Sequence, residues 1–230
     1  MGSLGHIPIN QMAYLRLLDL ILTQKIPRGS RLDEKGLVTE MGISRTPLRE
    51  AIARLVEKGL VEYRPYQGNF VRDFTREDIQ GIYKVRKALE QLAIREAIAH
   101  MTPELLEELR QILHSLDDAI TQSDIEAIGL EDQRFHSSII HGSKCSALID
   151  ILGDLDDQIQ VFRSMANQNS EVLKRTSIQR PQILAAIVAD DADTAAQLLG
   201  DHIDFVCEFV LAENNLPHEE DRVSSGNSKD

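Results

Sequence analysis

Arginine and hydroxyl side chains cluster in the sequence SRTPLREAIARL, which begins at Ser44. Arg45 and Arg49 are four residues apart, so on a helix they lie one turn apart on the same face. Arginine donors at the start of a helix can contact guanine O6 and N7, and the free backbone N–H groups there can contact phosphate. The candidate DNA-contacting residues are therefore Ser44, Arg45, Thr46 and Arg49. The alternative is an ordinary solvated helix surface.

A second chemical pattern lies in the sequence LEDQRFHSSI, where Asp132 and His136 are four residues apart. On a helix, a carboxylate and an imidazole at this spacing project over the same turn, where both can bind one divalent cation such as Zn²⁺. The same spacing also suits a hydrogen bond between the two side chains at the surface. Spacing alone leaves both alternatives open.

The elements around the two arginines predict a winged helix-turn-helix. Apolar residues at helical spacing predict a first helix over residues 12–24, followed by a turn over residues 26–32. Asp33 is a candidate N-cap for a short second helix that ends before Gly42, and Ser44 caps the third helix. The inward face of this third helix is predicted to contain Leu48, Ile52, Leu55 and Val56.

A predicted hairpin and a basic charge balance support nucleic-acid binding. Two short strands, residues 60–64 and 69–73, flank a turn with Gln67, Gly68 and Asn69 at its tip, and a small tip can enter a minor groove. Residues 1–73 contain eleven Lys or Arg and eight Asp or Glu, whereas the remainder contains fourteen and 29. A basic head can therefore bind phosphates while an acidic body stays clear of the duplex.

Helical periodicity replaces the strand pattern after Phe74. The predicted fold is mainly α, with a winged helix-turn-helix DNA-binding domain over residues 1–73 and an all-helical effector-binding and dimerisation domain over residues 74–213. A polar, aperiodic tail over residues 214–230 is predicted to be disordered. The predicted helices of the second domain span about residues 75–100, 103–122, 124–141, 145–168, 171–189 and 191–213.

Composition indicates a cytoplasmic protein with no membrane partner. No apolar stretch reaches the roughly 18 residues that span a bilayer, and two cysteines make no disulfide framework. An enzyme is disfavoured because the chain has no glycine-rich phosphate loop and no nucleophile elbow. The enzymatic alternative is a metal-dependent hydrolase that uses Asp132, His136 and His202.

The sequence LDEKGLVTEMGISRTPLREAIARLVEKGLVEYRPYQGNFV resembles the signature of the GntR family of bacterial transcription regulators over some 40 residues. The resemblance implies that a homodimer binds operator DNA. Lys35 stands where the family often has an arginine that touches DNA, and this change keeps the charge but weakens a bidentate contact. The other implied contacts come from Arg45, Thr46, Arg49, Gln67 and Gly68.

Residues 75–213 resemble, more loosely, the FCD ligand-binding domain of the FadR subgroup, through KVRKALE, the DxxxH pair and AAIVADDADTAAQLLGDHI. Many such domains hold a metal with one Asp and three His, and the carboxylate of a small organic acid completes the coordination. Asp132, His136 and His202 fall on three of those positions. Arg180 occupies the fourth, and a protonated arginine cannot ligate a metal.

Two outcomes are open at Arg180. Three protein ligands can bind a metal weakly while Arg180 turns away, or Arg180 can take the place of the cation and pair with Asp132 or with an anionic effector. Loss of tight metal binding is the favoured alternative. Arg86 resembles a pocket-facing arginine of the family and is a second candidate anion ligand, unless it only forms a salt bridge to Glu90 one turn away.

The sequence therefore predicts a repressor that a small anionic metabolite, such as an organic acid, releases from operator DNA. The predicted effector site contains Arg86, Asp132, His136, Arg180 and His202. The alternative is a constitutive DNA-binding dimer with a vestigial pocket. Six helices in the body rather than seven would indicate the VanR-like branch of the family.

Overall fold

A computed structural model describes residues 7–213 of the chain. Within that range the chain forms nine helices and one two-stranded hairpin, which confirms the predicted mainly α fold. The chain divides into two compact units between Phe74 and Thr75. Of the helices described, none is both long enough and apolar enough to span a bilayer. The tail predicted to be disordered, residues 214–230, lies outside the described residues.

The first unit has the element order predicted for a winged helix-turn-helix. Its elements are α1 (Ile9–Leu22), α2 (Glu34–Met41), α3 (Arg45–Glu57), β1 (Val61–Arg64) and β2 (Gly68–Val71). Helix α2 begins where the Asp33 side chain accepts a hydrogen bond from the backbone N–H of Lys35. It ends at Gly42, whose φ of 63° lies in the left-handed region that glycine adopts without strain.

Helix α3 packs its apolar face against α1. The buried side chains of this face are Leu48, Ala51, Ile52 and Leu55. The prediction that Val56 faces the core is wrong, because this side chain is 37% exposed. Val56 lies roughly a quarter turn from the centre of the buried stripe, so it sits at the edge of the packed face.

The wing includes more of the chain than the predicted hairpin. Strands β1 and β2 are antiparallel, with Arg64 opposite Gly68. Residues 29–32, predicted to be a turn, also pair with β2: Gly29 N–H donates to Val71 O at 3.0 Å and Leu32 N–H donates to Asn69 O at 2.9 Å. The turn prediction is therefore incomplete, because pairing with a distant strand is not visible in a local pattern.

The second unit is a bundle of helices whose bounds lie within two residues of the predicted ones. Its helices are α4 (Arg76–Ala99), α5 (Pro103–Gln122), α6 (Ile125–Gly142), α7 (Ser146–Ala166), α8 (Ser170–Val188) and α9 (Ala192–Glu213). Thr75 and Asp78 form a reciprocal capping box at the start of α4, with two hydrogen bonds of 3.0 Å.

Helix α4 lies along α9 and also contacts α6 and α7. Gly200 permits close approach of α4 and α9, because a Cβ there would collide with Gln91 and Lys87. The Gln91 amide donates to Ala196 O at 2.9 Å across the same contact. Helix α8 packs on α9. Five helices, α4 and α6 to α9, can therefore contribute side chains to one shared interior.

Candidate functional site

The start of α3 presents hydroxyl and arginine side chains to solvent. Ser44, Arg45, Thr46 and Arg49 are all exposed. Leu48, on the opposite face, is completely buried and fixes the orientation of the helix. Among the described residues, the Ser44 side chain makes no capping hydrogen bond to α3. The first backbone N–H groups of α3 can therefore donate to an external acceptor such as phosphate.

A hollow of about 650 Å³ lies between α2, α3 and the wing. Its lining includes four of the predicted DNA-contacting residues, which are Lys35, Arg45, Arg49 and Gly68. The other three, Ser44, Thr46 and Gln67, are exposed but lie outside this lining. Lys35 lies on α2, whereas Arg45 and Arg49 lie on α3. The fold therefore brings together positive charges that are spread over residues 35–49 of the sequence.

Glu34 connects α3 to the wing within this hollow. Its Oε2 accepts a hydrogen bond from Arg49 Nε at 3.2 Å, and its Oε1 accepts one from Asn69 Nδ2 at 3.3 Å. Sequence reasoning did not single out Glu34. It is the residue just before Lys35, and its role depends on the wing folding back against α2.

Arg31 is a further basic residue of the hollow that sequence reasoning missed. A Cβ on Gly68 would lie 3.4 Å from Arg31 Nε, so the glycine gives the guanidinium room beside the tip of the wing. The φ of Gly68 is 103°, which also favours glycine. Arg31 could not be found from a local sequence pattern, because its position in the hollow depends on the pairing of its segment with β2.

Seven ionisable side chains are buried together in the second unit. They come from α4, α6, α7, α8 and α9, and their exposed fractions are between 1% and 5%. All five predicted effector-site residues belong to this cluster. Glu90 and Arg163 join them. The buried charge cluster therefore consists of Arg86, Glu90, Asp132, His136, Arg163, Arg180 and His202.

Two of the arginines in the buried charge cluster form hydrogen-bonded ion pairs. Arg86 Nε donates to Glu90 Oε1 at 2.7 Å, which is the salt bridge considered for Arg86 from the sequence. Arg180 Nη2 donates to Asp132 Oδ1. Arg180 thus adopts the second of the two arrangements considered for it, in which the guanidinium takes the place of a cation beside Asp132.

Burial and neighbouring charges set the protonation of the cluster. Burial is the largest single effect and raises the pKa of both carboxylic acids, but the combined effect of the neighbouring charges, led by Arg86 at Glu90 and by Arg180 at Asp132, lowers both pKa values, so both groups are ionised. Burial lowers the pKa of His136 to about 4, against the opposing effect of Glu90. Burial and then Arg180 lower the pKa of His202. Both imidazoles are therefore neutral at pH 7.

Asp132, His136 and His202 have the arrangement of a partial metal site, because one ligand atom from each lies within 4.8 Å of the others. The residues present do not fit a tight site. Neutral His136 donates its Nδ1–H to Glu90 Oε2 at 2.6 Å, so its Nε2 lone pair faces Arg86 Nη2 at 3.3 Å. Asp132 Oδ1 already accepts from a guanidinium that would repel a cation.

A cavity of about 130 Å³ adjoins the buried charge cluster between α6 and α7. Three buried members of the cluster, Glu90, His136 and Arg163, line it together with apolar side chains of α6 and α7. Sequence reasoning missed Arg163. A signal was present, because Arg163 falls on a helical stripe with Ile159 and Ala166, and an arginine on a buried apolar stripe needs a buried partner.

Two family models match the chain. One, described as the FCD domain, matches residues 81–205. The other, described as bacterial regulatory proteins, gntR family, matches residues 9–71. Each match lies within one of the two compact units.

Curated relatives and a solved structure extend these matches. The HTH-type transcriptional repressor RspR of Escherichia coli (strain K12) is 26% identical over 203 residues, which are 88% of this chain and 89% of the relative. The HTH-type transcriptional regulator McbR of the same strain is 29% identical over 154 residues, 67% of this chain and 70% of the relative. The structure of E. coli McbR/YncC has a TM-score of 0.77 at 24% identity, covering 91% of this chain and 100% of that one.

Proposed function

Because the chain belongs to the GntR family of bacterial regulatory proteins and carries an FCD domain, we propose that it is a homodimeric repressor released from operator DNA by a small anionic metabolite. The family consists of transcription regulators rather than enzymes, its members bind operator DNA, and FCD domains bind small-molecule effectors. The name of the relative RspR supports repression. Six helices in the described part of the second unit support assignment to the VanR-like branch of the FadR subgroup.

The proposed operator contacts are the seven residues predicted from the sequence. Exposure of the start of α3 and the basic lining of the hollow support this assignment. Arg45 and Arg49 are suited to base edges in the major groove, and Lys35 is suited to phosphate. The wing tip carries Gln67 and Gly68 toward the adjacent groove or backbone. Ser44 and Thr46 complete the set at the N-terminus of α3.

An exposed apolar stripe on α4 supports the proposed dimer. Gly81, Val85, Ala88 and Leu92 follow one another at spacings of four, three and four residues, so they share one face of the helix. All four are exposed, and Val85 and Leu92 are each 46% exposed. A twofold dimer would bury this stripe against its own copy and would present two α3 helices to two operator half-sites.

Substitution of Leu92 by glutamate is expected to weaken dimerisation at least tenfold, because a twofold interface would bury the new charge close to its symmetry mate. Sedimentation velocity at a series of protein concentrations measures the effect. Leu130→Glu is the matched control, since Leu130 is 55% exposed on α6, away from the stripe. A Leu92→Glu protein that dimerises as well as the control would remove α4 from the interface.

The observation that supports an anionic effector is the charge of the buried cluster. Three arginines face two ionised carboxylates, with both histidines neutral, so one positive charge of the cluster has no buried counter-ion among residues 7–213. Arg163 Nε and Arg180 Nε and Nη1 also have no hydrogen-bond partner among the described residues. An anion would neutralise the excess charge and accept from these donors. We therefore propose an effector site formed by Arg86, Asp132, His136, Arg180 and His202.

The ligand response can be tested before the operator sequence is identified. Selection from random duplexes with the purified full-length protein yields a binding sequence, and fluorescence anisotropy then follows its release during titration with carboxylic acids. We expect at least one acid to weaken DNA binding about tenfold, a typical allosteric coupling. An acid that binds the protein and leaves DNA affinity unchanged would favour the alternative of a constitutive DNA-binding dimer.

A further inference from the structure

We propose that the cavity between α6 and α7 is the effector site, and that Arg163 binds there the carboxylate of a singly charged acid with a short apolar chain, without a metal ion. This inference rests on the proposed function in one respect, namely that the second unit binds an effector. It moves the effector site to a cavity that only His136 of the five residues proposed above lines, and it adds a binding residue and a ligand class.

Arg163 is buried but lacks close partners. Its side chain is 6% exposed, and its Nε has no hydrogen-bond partner among the described residues. The nearest carboxylate oxygens are Asp132 Oδ2, 3.6 Å from Nε, and Glu90 Oε1, 3.9 Å from Nη2. Both distances exceed those of an ordinary hydrogen bond, roughly 2.7–3.2 Å. Arg163 is therefore held near the cluster with donors left for a ligand.

Arg86 and Arg180 are less suited to the role of primary ligand for an anion in this cavity. Each already donates to a buried carboxylate, and neither is part of the cavity lining. Arg163 does line it. An acid bound here would complete the charge balance of the buried charge cluster through Arg163, the one arginine in the described part of the chain that lines the cavity.

The size and walls of the cavity define the rest of the ligand. A volume of about 130 Å³ is small beside the roughly 300–1,000 Å³ of ordinary ligand pockets, which suits a short acid. A carboxylate with two or three further carbon atoms fits this space. The hydrocarbon part would contact the apolar lining residues, which include Ile140, Ile149, Leu152 and Ile159.

The same lining disfavours a second carboxylate on the ligand. Asp156 and Glu90 both line the cavity, and the Asp156 carboxylate accepts from Gln133 Nε2 at 2.9 Å, which holds it in place. Asp156 is partly exposed, and its effect on the pKa of Arg163 is smaller than the effects of Asp132 and Glu90. A dicarboxylate of similar length would bring its second charge against these acidic groups. The cavity therefore favours monoacids over diacids.

Calorimetric titration of the full-length protein with three probes of similar size tests the ligand class. The probes are butyrate, the neutral amide butyramide and the dianion succinate, each titrated once in buffer with EDTA and once in buffer with added zinc. We expect saturable binding of butyrate in the millimolar range or tighter, and binding of the other two at least about tenfold weaker. Equal binding of succinate, binding that requires added zinc, or no butyrate binding up to about 10 mM would overturn the proposal.

Two substitutions test the residue. Arg163→Gln removes the charge, and Arg163→Lys keeps it but lacks the planar fork, so both should weaken butyrate binding at least about tenfold. Arg134→Gln, on the exposed side of α6, is the control and should bind as the wild type does. Circular dichroism identifies a variant that fails to fold. If Arg163→Gln does not fold, butyrate binding by Arg163→Lys is the test. Unchanged binding in a folded variant overturns the assignment of Arg163.

Failure of this inference can be distinguished from failure of the ligand response. Butyrate that binds through Arg163 without changing DNA affinity would support the site and contradict the proposed regulation. An acid that releases DNA equally from the wild type and from Arg163→Gln would support the regulation and overturn the assignment of Arg163.

Discussion

Alanine in place of Arg45 is expected to abolish sequence-specific operator binding by this GntR regulator while its fold remains intact. The side chain is exposed at the start of α3 and lines the hollow between that helix and the wing. A bidentate arginine–guanine contact contributes about 1–3 kcal/mol of discrimination, so the loss of two copies in the proposed dimer costs about 2–6 kcal/mol. Because Arg45 has no role in the apolar core, thermal stability should change little.

Fluorescence anisotropy with a selected operator and with a scrambled duplex measures the effect on specificity. The ratio of the two affinities should approach one in Arg45→Ala. Arg110→Ala is the matched control, because Arg110 is an exposed arginine on α5, where it forms a weak ion pair with Glu107 at 3.7 Å. A variant that still prefers the operator as strongly as the control would contradict the assignment of Arg45.

Arg49→Ala should also abolish specific binding, although its local effect differs. In this structure Glu34 accepts from Arg49 Nε, so the arginine is already oriented toward the hollow. Removal of Arg49 would leave the Glu34 carboxylate, 31% exposed, without this partner and next to Lys35, the residue proposed to contact phosphate. Repulsion between the carboxylate and phosphate should therefore add to the loss of the arginine contact.

Local sequence patterns predicted the helices well because each helix of the second unit carries its own periodicity and its own stop signals. Thr75 and Asp78 are a capping signal within four residues, and the structure contains that box. The errors arose where a distant element decides the outcome. Val56 is at an edge that only the packing of α3 defines, and residues 29–32 pair with a strand about 40 positions later.

The same distinction separates the predicted and missed residues of the candidate sites. Asp132 and His136 could be predicted as a pair because residues four positions apart lie on one face of the same helix. The convergence of Arg163 with them depends on the packing of α6, α7 and α4, which the sequence does not display. Glu34 is a similar case, since it contacts Asn69, 35 residues away. A pattern within one helix shows which of its residues share a face, but it does not show which side chains from other elements pack against that face.

Histidine in place of Arg180 is expected to create a zinc site in the second unit. The substitution removes the guanidinium that donates to Asp132 Oδ1 and supplies an imidazole next to Asp132, His136 and His202. One Asp and three His can complete a tetrahedral set, and removal of one buried positive charge lowers the repulsion of a cation. We expect stoichiometric zinc with micromolar or tighter affinity, whereas the wild type should bind zinc much more weakly.

Equilibrium dialysis followed by elemental analysis measures the bound zinc, and thermal unfolding with and without zinc gives a second readout. Zinc at a hundred times its dissociation constant should stabilise Arg180→His by about 2.7 kcal/mol. Arg180→Gln is the control, because it also breaks the pair with Asp132, a loss of about 3–5 kcal/mol for a buried ion pair, but supplies no imidazole. Absence of zinc from a folded Arg180→His protein would show that position 180 does not face the metal ligands. Tight zinc binding by the wild type would show instead that Arg180 can leave Asp132, and metal would then compete with the anion for the buried charge cluster.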